Sequence, residues 1–353
     1  MNLIRHFLLL TLTVYLSSLN ANTSVQWNLA MNWTSTLSPI SSTSFKMAEM
    51  VKKMSNGKFI IKVDGLEKLS KPTNLLTQVQ NNEYNIIYTS SQKWKKHDIN
   101  TIWFTGIPFG MTATEYYTWF YYGNGKKYMT MVYDKLNLLS YPAGNLGSLS
   151  GGWFRKEIKN IDDFKNLQIN SQGITADIFS IYGANIKNIP PHKIDEKYKE
   201  KKLDVISGTS PSMDIKLGYH KLTPYFYTSW DKPSYQMQFL INKKAFNKLS
   251  KHYQAILQIA MKTASHELYY ENFNTSAKAW EKIQKDYPNI QVKSLPNEVL
   301  HKFKKSKEIL FQSYANENKL FKEIYEDQKQ FLKHIRDWTK LQEYRYIKTT
   351  TTN

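Results

Sequence analysis

Residues 167–207 read LQINSQGITADIFSIYGANIKNIPPHKIDEKYKEKKLDVIS and alternate between short apolar runs and longer amphipathic stretches. Short apolar runs bounded by glycine, proline or asparagine are typical of buried strands, and the stretches between them have helical spacing. The predicted strands are Leu167–Asn170, Ile186–Ile189 and Leu203–Ser207, and the predicted helices between them are Ile174–Gly183 and His192–Lys202. Because strands that alternate with helices usually pair in parallel, this segment predicts an α/β domain built on a parallel sheet.

Apolar runs on both sides of this segment extend the α/β pattern. Upstream strands are predicted at Lys58–Val63, Asn85–Thr89 and Leu138–Pro142, and Pro72 opens a predicted helix that runs through Val79, since proline suits a first turn. Downstream, Phe226–Trp230 and Tyr235–Ile241 predict two strands that cross back to the first part of the chain. The expected architecture therefore has two α/β parts joined by crossing strands.

The last third of the chain is predicted to be helical. Lys251–Lys285 has the pattern of one long helix or two joined helices, and Pro296 to about Arg345 predicts another. In the second of these, apolar side chains recur at spacings of 3, 7, 4 and 3, a heptad-like stripe of Phe321, Ile324, Phe331, Ile335 and Trp338. The stripe either packs on the chain's own body or forms a subunit interface, and the pattern alone leaves both open.

The first residues have the pattern of a secretory signal peptide. Arg5 and His6 precede the apolar run Phe7–Leu16, and small and polar residues follow up to a predicted cut after Ala21. The run is too short to span a bilayer. The chain has no cysteine, which excludes disulfides, thiolate metal sites, cysteine nucleophiles and a lipid-anchored N-terminus.

The formal net charge of +19 admits two interpretations. A basic chain can bind nucleic acid or an anionic surface, or it can carry lysines scattered over solvated faces. Lysine pairs are spread along the chain, as at 52–53, 201–202 and 304–305, and no helix-turn-helix, zinc-finger or RNA-binding motif accompanies them. We therefore expect no nucleic-acid partner.

Motifs of the common enzyme classes are missing from the sequence. There is no Gly-x-Ser-x-Gly elbow, no P-loop and no dinucleotide-binding fingerprint, and His266-Glu267 lacks the second histidine of a zinc protease. A pair of carboxylates that meet only in space stays open. The sequence predicts neither an enzymatic activity nor a cofactor.

Several strings resemble the solute-binding subunits of TRAP transporters, the tripartite ATP-independent periplasmic carriers. They are IPFGMTA at 107–113, WFYYG at 119–123, YPAGN at 141–145, GGWFRKE at 151–157, LGYHK at 217–221 and LINKKAF at 240–246. Their order and spacing are similar to this family over roughly Trp27–Ala260. The strings favour the branch that is associated with α-keto acids or with mannitol and chloroaromatics.

The resemblance implies a two-lobed periplasmic-binding-protein (type II-like) α/β fold with long C-terminal helices, closing over a small-molecule ligand. It also implies a TRAP permease as membrane partner and, through the C-terminal helix, a possible homodimer. An exported, unanchored protein that serves a transporter needs an outer membrane to retain it, so the expected location is a Gram-negative periplasm. The expected segments are a signal peptide (1–21), lobe 1 (22–142), lobe 2 (143–227), a return to lobe 1 with a long connecting helix (228–295), a C-terminal helix (296–347) and a tail (348–353).

This sequence departs from the family at the positions that bind ligand in relatives. The resemblance places Asn170 where relatives have an arginine that grips the substrate carboxylate, and asparagine cannot neutralise a charge. It places Leu149, Gly208 and Lys232 where the keto-acid branch binds a cation. Leucine cannot ligate a metal and lysine repels one, so no bound metal is expected.

The charge of Lys232 suggests what replaces the missing groups. One hypothesis is that Lys232 stands in for both the arginine and the metal and balances a monoanionic organic acid, because a buried unpaired charge is costly. The rival is a neutral ligand with Lys232 turned to solvent. Outside transport, the same fold could present ligand to a receptor kinase, or the scaffold could have lost small-molecule binding.

Other candidate ligand contacts follow predicted strands. Gln92 and Lys93 come after the strand at 85–89, Trp33 lies where the first strand ends, and Trp230 lies two residues before Lys232. Each tryptophan could equally pack in the core. Arg155 could contact ligand, or it could form a salt bridge with Glu157 or Asp162.

Overall fold

The computed structural model describes residues 24–71 and 74–351. The predicted signal peptide, the predicted helix start at Pro72 and the last two residues of the predicted tail lie outside the described residues. Within them, no helix combines the length and the apolar composition needed to cross a membrane.

The strands and helices are numbered in chain order. The strands are β1 (Val25–Met31), β2 (Phe59–Asp64), β3 (Ile86–Thr89), β4 (Leu138–Asn145), β5 (Gly152–Phe154), β6 (Gln168–Asn170), β7 (Asn185–Lys187), β8 (Val205–Ile206), β9 (Tyr225–Tyr227), β10 (Gln236–Asn242) and β11 (Gln291–Lys293). The helices are α1 (Ser42–Met54), α2 (Leu75–Gln80), α3 (Ala113–Tyr122), α4 (Gly125–Asp134), α5 (Gly173–Ile181), α6 (Ile194–Lys199), α7 (Pro211–Leu217), α8 (Lys243–Lys248), α9 (Lys251–Asp286), α10 (Asn297–Glu317), α11 (Lys319–Leu341) and α12 (Glu343–Thr351).

Two sheets carry the mixed α/β architecture. The first has the order β2-β1-β3-β10-β4, in which β1 is parallel to β2 and β3, and β10 is antiparallel to β3 and β4. The second has the order β11-β9-β5-β8-β6-β7. In it, β6 is parallel to both β7 and β8, as the alternating segment at 167–207 predicts. Helix α9, predicted as one helix or two, is a single helix of 36 residues.

One strand prediction is wrong. Phe226–Trp230 was expected to cross back to the first part of the chain, but β9 pairs antiparallel with β5 and parallel with β11 in the second sheet. Phe226 packs on Trp153 and Trp280, with ring centroids 4.8 and 4.7 Å apart respectively, and these contacts hold β9 there. Of the two strands predicted to cross back, β10 is the one that joins the first sheet.

The prediction of a single long C-terminal helix is also wrong. Asn318 is extended (φ −136°, ψ 108°) between α10 and α11, and its side chain accepts a hydrogen bond of 2.9 Å from the Phe321 amide. An asparagine that caps a new helix ends the previous one. The helical path then continues through α12 into the predicted tail, as far as Thr351.

The apolar stripe on α11 divides into two parts. Phe321 and Ile324 are fully buried, and the Phe321 ring lies 4.6 Å from Trp103 in the chain's own core. Trp338, at the other end of the stripe, is 60% exposed. The first part therefore packs on the molecule itself, and the second is left uncovered.

Candidate functional site

One edge of the second sheet gathers polar residues. Strands β6 and β8 are parallel neighbours with Asn170 opposite Ile206, so Ser171 and Ser207 leave the sheet side by side at its carboxyl edge. Ligands of open α/β sheets bind in the crevice outside this edge. The two serines therefore mark the carboxyl edge of the second sheet as a candidate binding site.

A buried ion pair lies at this edge. The Nζ atom of Lys232 is 2.6 Å from Oδ2 of Asp231 and donates a 2.9 Å hydrogen bond to Oγ of Ser207. The side chains of Lys232 and Asp231 are only 9% and 1% exposed. The interpretation in which Lys232 turns to solvent is therefore wrong. Asp231, which the charge balance expected from the sequence did not include, already balances Lys232.

Buried polar atoms without a hydrogen-bond partner cluster around this pair. Among the described residues, no partner is found for Oδ1 of Asp231, for the hydroxyls of Ser150 and Ser171, or for Nε1 of Trp230. A buried polar group without a partner costs about 1–3 kcal/mol. Other described side chains, such as Tyr88 and Trp103, also have such atoms, so it is their position beside the ion pair that makes these four candidates for ligand contacts.

Gly208 lets these groups come together. A Cβ atom at position 208 would lie 1.7 Å from Oγ of Ser150 and 2.8 Å from its carbonyl oxygen. Only a residue without a side chain fits there. The close approach brings the loop before β5 against the loop after β8.

Helix α5 completes the edge. Oγ1 of Thr175, in its first turn, donates a 3.2 Å hydrogen bond to Oδ2 of Asp231. Gly173 starts the helix at φ +68°, and a Cβ atom there would lie 3.2 Å from Oε1 of Gln92. The N-terminus of a helix carries a partial positive charge and attracts anions. The carboxyl edge of the second sheet is therefore positive where α5 begins.

Residues after β3 approach from the first sheet. Gln92 contacts the start of α5 and donates a 2.7 Å hydrogen bond from Nε2 to the hydroxyl of Tyr235. Lys95 forms an ion pair with Asp177 on α5. Lys93 is exposed, yet enough protein surrounds it that desolvation lowers its pKa. An exposed group with that environment is typical of a cleft wall.

Trp230 lies under the ion pair and is 8% exposed. Its ring packs on Phe303 and Phe179, with centroids 4.8 and 5.6 Å away, and on Phe109 at 6.0 Å. Those rings come from both parts of the molecule. The structure therefore places Trp230 in the apolar layer beneath the candidate site, with its unpartnered Nε1 as the polar exception.

Asn170 and Leu149 are both close to the site but have structural contacts. Oδ1 of Asn170 accepts a 2.8 Å hydrogen bond from the Ile189 amide and so holds the loop after β7. Leu149 is 2% exposed among apolar side chains, and its amide donates to the Lys232 carbonyl at 3.0 Å. Leu149 therefore fixes the backbone of Lys232 and offers no polar atom of its own side chain.

Trp33 and Arg155 have other contacts in the structure. Trp33 follows β1 at the edge of the first sheet and packs on Tyr88 at 5.1 Å. Arg155 lies at the amino end of β8, opposite to Ser207, where its amide donates to the Asp204 carbonyl. Its guanidinium stacks on Tyr198 at 3.6 Å, donates to two backbone carbonyls and pairs with Asp204 at 3.5 Å, so neither of the partners proposed from sequence is used.

The residues at this edge do not fit a metal ion. Metal sites of hard cations need several oxygen ligands, with carboxylates foremost. Here Asp231 already accepts from the Lys232 ammonium, and Asp214, a second buried carboxyl that interacts with Lys232, already accepts from Thr209 and Trp153. No group of three or more histidine, aspartate or glutamate side chains that could hold a metal occurs among the residues that the structure describes.

The sequence of this chain is similar to those of known solute-binding proteins. The family model described as bacterial extracellular solute-binding protein, family 7 (DctP), matches residues 29–318. A periplasmic protein from Nostoc sp., described as binding monocarboxylate 2-oxoacids, is 28% identical over 324 residues, covering 92% of this chain and 88% of that protein.

Two crystal structures of TRAP periplasmic solute-binding proteins are similar over nearly the whole chain. One, from Colwellia psychrerythraea with bound calcium and pyruvate, has a TM-score of 0.91 and 34% identity, covering 92% of this chain and 99% of its own. The other, from Pseudoalteromonas atlantica with bound sodium and pyruvate, has a TM-score of 0.90 and 33% identity, covering 94% and 100%.

Proposed function

Because the chain belongs to the DctP family of TRAP solute-binding proteins, we propose that it receives a small organic acid at the Lys232 edge and delivers it to a TRAP permease. Members of this family are solute-binding proteins rather than enzymes. We propose further that the solute binds at the Lys232 edge and that the Lys232 ammonium is the cation that it contacts. The lobe boundaries are taken from sequence, with lobe 1 at 22–142 and 228–295 and lobe 2 at 143–227, except that β11 (Gln291–Lys293) pairs with β9 in the second sheet.

The cluster of buried, unpartnered polar atoms around Lys232 carries the proposal. A carboxylate that accepts from Lys232 could also accept from the hydroxyls of Ser150 and Ser171, which have no partner among the described residues. The N-terminus of α5 adds favourable potential for the same charge. Gln92 and Lys93 would close the site from the first sheet.

In this proposal Lys232 takes the place of the arginine and the cation that the family resemblance implies. Its ammonium is fixed by Asp231 and Ser207, which leaves one of its three protons for a ligand. Asn170 and Gly208 then shape the edge without contributing charge. In this scheme the pyruvate-binding relatives and this chain share the cleft but not the cation.

We expect the mature protein to act in a periplasm, after removal of residues 1–21. The sequence pattern of those residues supports export, and the family works outside the inner membrane. A homodimer through the C-terminal helices is a further part of the proposal. Apolar side chains at the end of α11 and on α12 are 57–71% exposed, namely Trp338, Leu341, Tyr344, Tyr346 and Ile347.

Native mass spectrometry of protein purified from a periplasm would test the proposal. We expect the mass of one small organic acid per chain, with no added metal, in the unmodified protein. The Lys232→Ala variant should carry none, whereas a Lys282→Ala variant, which removes an exposed lysine at the end of α9, should retain it. A full complement of acid in Lys232→Ala, or none in either protein when suitable acids are supplied, would refute the assignment of the site.

A further inference from the structure

We infer that the preferred ligand is a 2-amino acid in its zwitterionic form, and that Asp231 selects its ammonium group. This inference rests on the proposed function, because it assumes that the edge at Lys232 binds a small acid. It concerns the second oxygen of Asp231, which the comparison with pyruvate-binding relatives does not explain.

The geometry of Asp231 supplies the first step. Its Oδ2 accepts from Nζ of Lys232 at 2.6 Å and from Oγ1 of Thr175 at 3.2 Å, while Oδ1 is buried and has no partner among the described residues. The whole side chain is 1% exposed. A carboxylate oxygen accepts hydrogen bonds and donates none. A ligand that satisfies Oδ1 must therefore bring a donor.

The charges supply the second step. Lys232 and Asp231 neutralise each other, and Lys232 also interacts with the buried carboxyl of Asp214, so a bound monoanion would have only the exposed Lys93 to balance its charge. Buried charge without compensation is strongly unfavourable. A 2-amino acid adds one positive and one negative charge and keeps the site neutral. Its carboxylate can accept from Lys232 while its ammonium donates to Oδ1 of Asp231.

The arrangement distinguishes ligands that differ in one group. A 2-oxoacid such as pyruvate has only acceptors next to its carboxylate and would leave Oδ1 unpaired. A site that is built to bind a donor rejects an analogue without one far more strongly than it rejects a missing methylene group. Lys232 therefore selects for the carboxylate of the ligand, and Asp231 selects for its ammonium group.

Isothermal titration of the mature protein with matched acids tests the inference. One set is alanine, lactate, pyruvate and propionate, and a second set carries the leucine side chain on the same four head groups. Each is titrated with EDTA and again with calcium. We expect the 2-amino acid of at least one set to bind at least tenfold more tightly than its 2-oxo counterpart, in EDTA.

The variant Asp231→Asn keeps the shape but removes the charge. We expect it to lose tenfold or more in affinity for the 2-amino acid and to gain affinity for the 2-hydroxy acid, whose single negative charge Lys232 can then balance. Asp286→Asn makes the same change at an exposed ion pair on α9 and should behave as the unmodified protein.

The possible results separate the two proposals. Tighter binding of a 2-oxoacid than of its 2-amino counterpart would overturn this inference and leave the proposed function intact. If that binding required calcium, Asp231 would be a metal ligand instead. If no acid of either set bound, with or without calcium, this inference would fall, and other organic acids would decide the fate of the proposed function.

Discussion

Two buried polar clusters in this molecule look alike in composition and differ in how well they are satisfied. Where α7 meets α9, Oδ1 of Asn272 accepts from Ser210 and Ser212 at 2.8 and 3.0 Å, and its Nδ2 donates to the Leu146 carbonyl at 2.7 Å. Around Asp231 and Lys232, four buried polar atoms have no partner within the described part of the chain.

Completed hydrogen bonds distinguish a structural polar cluster from a candidate binding site. Both clusters are rich in serine and are nearly inaccessible to solvent, so neither burial nor composition distinguishes them. A satisfied cluster has completed its hydrogen bonds within the chain and contributes to stability. A cluster with unmet acceptors and donors keeps its hydrogen-bonding capacity for something else. We therefore assign the first cluster to the fold and the second to the ligand.

The largest expected effect comes from Lys232→Ala. Removing one partner of a buried ion pair leaves Asp231 charged and uncompensated, which costs about 3–5 kcal/mol. We expect the free energy of unfolding to fall by that amount in urea titrations, and the affinity for the bound acid to fall about 100-fold. The double variant Lys232→Met/Asp231→Leu should regain stability without regaining affinity. Recovery of binding in that double variant would contradict the distinction between the clusters.

Asp214 offers a test on the satisfied side through pH. Burial raises its pKa to about 6, although hydrogen bonds from Thr209 and from Nε1 of Trp153, and the charge of Lys232, oppose that shift. Because the folded carboxyl binds a proton more readily than the unfolded one, stability should decrease as pH rises from about 4 to 6 and level off above. The change is roughly 2–3 kcal/mol, at about 1.4 kcal/mol per pKa unit.

The check is the difference between two unfolding curves. Urea titrations of the unmodified protein and of Asp214→Asn across pH 4–8 should differ by this slope. Comparing the two proteins removes the contribution of His220, whose pKa is lowered by desolvation and which titrates with the opposite sign. Parallel curves would show that Asp214 does not titrate in this range.

Asn272→Ala should reduce stability with little effect on binding. The substitution leaves the hydroxyls of Ser210 and Ser212 and the Leu146 carbonyl without their shared partner, a loss of about 2 kcal/mol. Thermal unfolding should show a lower midpoint, and titration should show an affinity within threefold of the unmodified protein. A large loss of affinity at unchanged stability would reverse the assignment of the two clusters.

The smallest expected effect is at Lys95, which pairs with Asp177 across the two sheets. Both side chains are partly exposed, so Lys95→Ala should weaken ligand affinity by only about 0.5–1 kcal/mol, and less in high salt. Titrations at two salt concentrations measure both effects. A loss as large as that of Lys232→Ala would place the ligand nearer to Lys95 than to Lys232.

The sequence patterns predicted much of the fold. The alternation at 167–207 identified the parallel strands β6, β7 and β8, and the family strings identified the TRAP solute-binding proteins with their two-lobed fold. Two predictions failed for lack of local information. The register of β9 depends on distant aromatic contacts, and the break at Asn318 looked like an ordinary polar position in a long helix.

The site was less accessible to sequence reasoning. Lys232 stood out because the family resemblance placed it at a cation-binding position. Asp231 did not stand out, because the family resemblance pointed to Lys232 and not to its neighbour. That two residues are adjacent in sequence does not show that their side chains form a hydrogen bond. The signal was present nonetheless, since an Asp-Lys dipeptide beside a tryptophan brings opposite charges to one place. Arg155 was predicted as a ligand contact because it follows a glycine-rich segment. In the structure its guanidinium bonds to backbone carbonyls and to Asp204 instead.

The ammonium of Lys232 is covalently attached to the chain, so the site does not depend on the medium to supply a cation. A dissociable ion is present at a site only as often as the medium provides it, and chelators or dilution can remove it. A tethered charge is always present in stoichiometric amount and leaves with the protein rather than with the cargo. If Lys232 binds the solute as proposed, loading should be independent of the calcium and sodium content of the surrounding fluid, and each delivery step should release the solute alone.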